Sequence, residues 1–303
     1  MMNLKPYFGL LTALLLCGGC SGEASDETQT QSGTEEPTIN YPDSPAGRLV
    51  SLDAPEGPSA ARTAGCTVLG AYAGSGLGSL ASLSGGLDQN FQANGAGEVG
   101  MVLVGEVQQF SLDQPMTMNF LMGGQNAENG FTKTAPEDSI VSASEVNAVF
   151  DNIVIDDEGW FDAVTQQLRL PVPILEDFMV AAGINAATLS GQMDVTEEGM
   201  NFNGLLMGYL PAEEVMNITE ALIDACGWDD TPIICDITAG QITATTEPQD
   251  AYEIIVGFMG HYDVRIENGV PVDCDVEAEE SDPNGCNALG VCLEVEMEAI
   301  VLQ

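Results

Sequence analysis

Apolar and polar residues alternate with a period of two along several stretches of this chain, most regularly near its end. Within Val291–Val301, the residues Val291, Leu293, Val295, Met297, Ala299 and Val301 face one way, and Glu294, Glu296 and Glu298 face the other. Such a strand has one buried and one wet face. A slip of one residue would bury its carboxylates, so its register is strongly specified. Met116–Met122 alternates in the same way, and Gly100–Val107 is a short apolar run of strand length. Val146–Ile155 reads as a further strand, ended by a simple turn at Asp156-Asp157-Glu158-Gly159. Gln167–Val172 is another strand, and its prolines place it at a sheet edge. The clearest hairpin joins Ala187–Val195 to Met200–Tyr209 through Thr196-Glu197-Glu198-Gly199.

Two segments carry the longer period of a helix. Pro211 to Cys226 opens with a proline and with Glu213 and Glu214 near the positive end of the helix dipole, and it stops at Gly227. Val215, Ile218, Leu222 and Cys226 recur at helical spacing and define its buried stripe. A second, shorter helix is expected from about Gln249 to Gly257, with Tyr252 and Val256 one turn apart. Gly70 to Gly100 is rich in Gly, Ser and Leu and reads as long loops. Antiparallel strands with one wet face argue against a parallel sheet. The expected fold is mainly β: an antiparallel β-sandwich or partly open barrel with one or two short helices, stapled by disulfides. No repeat of 20–50 residues points to a solenoid or propeller.

The N-terminus is a targeting segment and is set apart from the fold. Lys5 and the terminal amine precede the apolar stretch Gly9–Leu16, which is too short to span ~30 Å of hydrocarbon. Cys17-Gly18-Gly19-Cys20 follows. This pattern resembles the lipobox of bacterial lipoproteins, in which small residues precede a cysteine that is acylated and becomes the new N-terminus. Gly18 and Gly19 fit it, and Cys17 stands where the family has an aliphatic residue. The resemblance covers the N-terminus alone. It implies a signal peptide over 1–19, lipid (palmitate among the acyl chains) on Cys20, and a protein held to a membrane in the cell envelope. That membrane is expected to be the outer rather than the inner one. Residues 20–62 are then the lipidated cysteine and an acidic, Pro-rich tether whose composition offers no hydrophobic period to bury. Residues 63–303 are expected to form a single β-rich domain.

Charge sharpens this picture. The chain carries 47 Asp and Glu against 6 Lys and Arg, a formal charge of −41. After removal of the first 19 residues only Arg48, Arg62, Lys133, Arg169 and Arg265 remain as bases. No basic patch exists to displace counterions from phosphates, so nucleic acid is excluded as a partner. The expected partners are the membrane, through the lipid, and cations or envelope and surface components. The hydrophobic content of 45 % excludes disorder throughout.

Cys17 leaves with the signal and Cys20 is the anchor. Cys66, Cys226, Cys235, Cys274, Cys286 and Cys292 remain, an even set that reads as disulfides in an oxidising compartment. Six cysteines permit about 15 pairings. The expectation is Cys226–Cys235 and Cys274–Cys286 as local staples, with Cys66–Cys292 joining the first strand to the last. No CxxC pair exists among these six, and His261 is the single histidine, which speaks against zinc.

No G-x-S-x-G, H-E-x-x-H or phosphate-cradling glycine loop appears in a suitable context. His261, beside Gly260 and Tyr262, reads as a structural or surface residue, and Lys133 sits in a polar loop. The best candidate site is the loop Asp273–Gly285, where Asp273, Asp275, Glu277 and Glu279 offer alternate carboxylates to a hard cation such as calcium. It begins like an EF-hand loop and departs at Ala278 and Asn284. The leading expectation is a membrane-anchored, non-enzymatic binding or structural module without a cofactor. A calcium- or carbohydrate-binding β-sandwich comes second, and exposed aromatic residues on one face would favour it. A hydrolase working through two carboxylates ~5–9 Å apart comes third.

Overall fold

The computed structural model describes residues 41–78, 90–135, 148–175, 178–229, 231–232, 235–236, 238, 240–278, 282 and 284–303, and for 172–175 and 178–179 the backbone alone. Its elements in chain order are β1 (Ala46–Asp53), α1 (Gly57–Ala64), β2 (Leu103–Gln108), β3 (Met116–Met122), β4 (Gly124–Gln125), β5 (Phe131–Thr132) and β6 (Ala148–Ile153). There follow β7 (Trp160–Leu175), β8 (Phe178–Thr196), β9 (Gly199–Pro211), α2 (Ala212–Ala225), α3 (Pro248–Met259), β10 (Arg265–Glu267), β11 (Val270–Val272) and β12 (Ala288–Ile300). Eight of the strands form one antiparallel sheet in the order β6-β3-β2-β1-β12-β9-β8-β7. The end strands β6 and β7 come side by side without a ladder, so the sheet is nearly closed into a barrel. Of the two expected architectures, the barrel is the one adopted.

The inward set follows from the alternation. Leu103, Met118, Phe150, Leu189, Phe202 and Leu293 are all fully buried in one core. On β12 the carboxylates of Glu294, Glu296 and Glu298 point outward, as the period of two requires. The proline-bearing strand β7 stands at the end of the strand order, in keeping with an edge. β7 and β8 form a long hairpin that changes faces midway. Phe161 and Ala163 point inward before the change, Leu168 and Leu170 after it, and Ala186 opposite has a left-handed backbone (φ 47°). Beyond this corner the hairpin lies against α2, where Arg169 meets Glu214 at 3.2 Å and the Gly183 N–H donates to Glu214 at 3.1 Å. Buried faces of α2 and α3 (Val215, Ile218, Leu222, Ala251, Ile255 and Met259) join the barrel core. Both helices lie within a few residues of where their periodicity predicts them.

One expectation is corrected. The tether does not extend to residue 62, and the domain does not begin at 63. Residues Ile39–Gln303 cluster as one unit, and β1 sits between β2 and β12 in the middle of the sheet. The pairing register slips between Leu49 and Ser51, a bulge that turns both Leu49 and Leu52 into the core although they are three residues apart. That spacing hides the strand from a search for period two. α1 then crosses the outer face. Ala61, Cys66 and Ala73 pack there on Met207 and Cys292, which are register partners on β9 and β12.

The disulfides are Cys66–Cys292, Cys226–Cys235 and Cys274–Cys286. Cys292 is on the last strand, as expected, whereas Cys66 follows α1 rather than sitting on the first strand. Among the described residues no helix is long and apolar enough to cross a membrane. The signal, Cys17 and Cys20 lie outside the described residues.

Candidate functional site

Asp156 organises the turn between β6 and β7. Its Oδ1 accepts hydrogen bonds from the N–H groups of Glu158 and Trp160, both at 2.9 Å. Gly159 has φ +85°, and a Cβ there would stand 2.4 Å from the Met193 carbonyl, so the turn requires glycine. The turn is clamped to β8 by Met193 N–H donating to the Gly159 carbonyl at 2.8 Å and by Gln192 donating to the Glu158 carbonyl at 2.7 Å. The acidic run Asp156-Asp157-Glu158 is therefore a turn, as read from the sequence. Two open grooves flank it.

The larger groove has a volume of about 650 Å³. Asp156, Asp157, Glu158, Asp194, Glu296 and Glu298 supply its carboxylates, and among the described residues no lysine or arginine lines it. Its apolar wall includes Tyr41 and Phe110, whose rings lie 5.3 Å apart. The smaller groove, about 440 Å³, is lined by Val154, Ile155, Asp156, Trp160, Phe161, Asp162 and Ser190. Here β7 turns Trp160, Asp162 and Val164 outward while Phe161 and Ala163 point into the core. Ser190 of β8 stands opposite Asp162 in register. Trp160 is 52 % exposed. Neither it nor Asp162 and Ser190 stood out in the sequence. Apolar residues at 160, 161, 163 and 164 blur the alternation, and the available signal was a tryptophan sharing a strand face with an aspartate.

The bases are mostly engaged in ion pairs, one of them with Glu298 of the larger groove. Arg48, only 7 % exposed, donates to Glu298 at 2.8 Å and to the Phe91 carbonyl at 2.8 Å, with its guanidinium 5.2 Å from the Phe131 ring centre. Lys133 pairs with the buried Glu106, and Arg265 with Glu267 at 3.0 Å. The lone histidine, His261, is exposed beside the end of α3.

Asp263, 4 % exposed, fastens the segment after Cys66 to β12. Its Oδ2 accepts from Tyr72 N–H at 2.8 Å and its Oδ1 from Gly290 N–H at 3.1 Å. Burial pushes this carboxyl above the usual carboxylate range, against the pull of the backbone donors. Burial likewise pushes up the nearby phenol of Tyr209; the Leu69 N–H bond opposes this, and the charge of Asp263 adds to it. Asp263 lines neither groove.

In the calcium candidate loop, Asp275 spends its Oδ1 on the Glu277 N–H at 3.0 Å, and its own N–H donates to the Asn284 carbonyl at 2.8 Å. Arg265 donates to the Gly285 carbonyl at 2.8 Å, and Cys274–Cys286 closes the loop. Among the described residues no group of three or more Asp, Glu, His or Cys comes together as a ligand set, Asp273, Asp275 and Glu277 included. Glu279 lies outside the described residues. What the chain places together instead is the Trp160 groove and the acidic groove beside it. Comparison with protein-family models, with curated proteins and with solved structures finds no match to this chain.

Proposed function

We propose that this chain is an exported lipoprotein, anchored through Cys20 in the cell envelope, whose barrel is a non-enzymatic binding module. The cysteine pattern carries the reading. All six cysteines after Cys20 are consumed in disulfides, the state of a chain folded in an oxidising compartment. The two that remain are those of the Cys17-Gly18-Gly19-Cys20 sequence. The binding role is supported by two open grooves on a framework held by ladders and disulfides. It is supported too by the structural use of the buried charges Arg48, Glu106 and Asp263, each tied to a partner.

Intact mass spectrometry of the native membrane-extracted protein, with and without reductant, tests this. The expected species begins at Cys20, carries acyl chains, and gains six hydrogens on reduction, one for each bridged cysteine. Cys20→Ser releases the protein from the membrane, and membrane separation places the wild type with the outer membrane. An unacylated mature chain, or free thiols in the native protein, overturns the proposal.

A further inference from the structure

Acidity marks no particular place on a surface with this composition, because carboxylates are everywhere on it. An exposed indole that lines a groove does mark one. Trp160, Asp162 and Val164 stand in a row on the outer face of β7, with Ser190 across from Asp162, and the groove of about 440 Å³ is lined by Trp160, Asp162 and Ser190. That volume falls within the ~300–1,000 Å³ of small-molecule sites. Among the described residues the side chains of Asp162 and Ser190 make no hydrogen bond or ion pair, so both are open to a ligand. The platform is fixed in place, since Trp160 N–H is bonded to Asp156 and the turn before it is clamped to β8.

We propose that this groove binds a neutral saccharide. The carbon–hydrogen face of a sugar ring stacks on the flat indole, and ring hydroxyls donate to the Asp162 carboxylate and exchange hydrogen bonds with Ser190. A single flat ring flanked by acceptors suits a ligand with one apolar face and a polar rim. A compact organic cation is instead typically held by a cage of several rings. The charge of −41 repels anionic glycans, which leaves neutral ones. The inference rests on the reading of the chain as a binding module and adds the ligand class and its residues.

The test titrates the purified full chain, carrying Trp228→Phe, with cellohexaose, chitohexaose and maltohexaose while following tryptophan emission. Trp228 is the other tryptophan and is itself 54 % exposed, so its removal leaves Trp160 as the reporter. At least one sugar is expected to shift the emission with a dissociation constant of about 1 mM or tighter, confirmed by calorimetry. Trp160→Ala weakens that binding roughly tenfold, and Trp160→Phe, which keeps a smaller ring, weakens it less. Asp162→Asn retains an acceptor oxygen and stays within about threefold. Thermal melts verify that each variant is folded. Silence toward all three sugars overturns the proposal. So does binding of hexalysine, in place of any sugar, that Asp162→Asn abolishes. Lipidation is read separately by mass, so the failure of either proposal is distinguishable from that of the other.

Discussion

Replacing Asp263 with asparagine tests whether a buried carboxylate fastens the loop after Cys66 to the barrel. The native carboxylate satisfies Tyr72 N–H through one oxygen and Gly290 N–H through the other. Asparagine keeps the shape and offers one acceptor, so one of these N–H groups is left facing an amide NH₂. A buried donor without an acceptor costs about 1–3 kcal/mol. Relief from burying a charge offsets part of that, so the expected net loss at neutral pH is about 1–2 kcal/mol. The pH dependence is the sharper readout. Because the folded-state pKa of Asp263 is raised, the native protein takes up this proton before the unfolded chain does as pH falls. The corresponding stabilisation is fully present below the unfolded-state pKa and is lost as pH rises through the folded-state value. The asparagine side chain of the variant cannot titrate. The stability gap between wild type and Asp263→Asn therefore widens on acidification from about pH 7 to about pH 4.5. Urea unfolding with the disulfides intact, at both pH values, measures it. A gap that narrows or stays constant refutes the reasoning, whatever the other carboxylates do, because they are common to both proteins.

Further perturbations probe the framework. The Cys66–Cys292 bond closes a separation of 226 residues and Cys274–Cys286 one of 12. Loop-closure entropy then predicts losses of about 5 and about 3 kcal/mol when each pair is changed to serine, and urea midpoints showing equal losses contradict that ranking. A Cβ at Gly204 would stand 2.2 Å from the Ser190 carbonyl and 2.6 Å from the Phe202 ring. Gly204→Ala should therefore cost about 1–3 kcal/mol, read as a lowered Tm. Arg48→Met leaves the Phe91 carbonyl without its donor and removes the charge beside Phe131, for a loss of about 2–4 kcal/mol. Arg265→Met, at an arginine whose side chain is 21 % exposed against 8 % for Arg48, should cost less than Arg48→Met in the same denaturation experiment.

Much of the fold was legible in the sequence because local environment repeats along a regular element. Glu294, Glu296 and Glu298 alternate with apolar residues, so β12 could be drawn with its correct faces as far as Met297, whereas Val301, which the same period placed on the buried face, lies past the strand's end and is 65 % exposed. The stripe Val215, Ile218 and Leu222 located α2. The short cysteine separations suggested two local disulfides, which left Cys66 with Cys292, and the bonded pairs agree. What depends on a bulge or on a distant partner was not legible. β1 escaped notice because a register slip at Val50 puts Leu49 and Leu52 on one face, and because Arg48 looks like a solvent residue until Phe91, Phe131 and Glu298 enclose it. Asp263 was one acid among 47 until the segment 69–75 and Gly290 closed over it. Trp160 could have packed on either side of its strand, and the clamp of the 156–159 turn onto β8 turned it outward beside Asp162 and Ser190. The sequence alone therefore determined the types of the regularly patterned elements, the faces of the regular strands and the local disulfides, since these follow from neighbours a few residues away. Closure of the barrel, the place of β1 within it, and the choice of which charges are buried and which aromatic ring is exposed were decided by tertiary structure. Each of these depends on contacts between residues far apart in the chain, whose free energies no local pattern records.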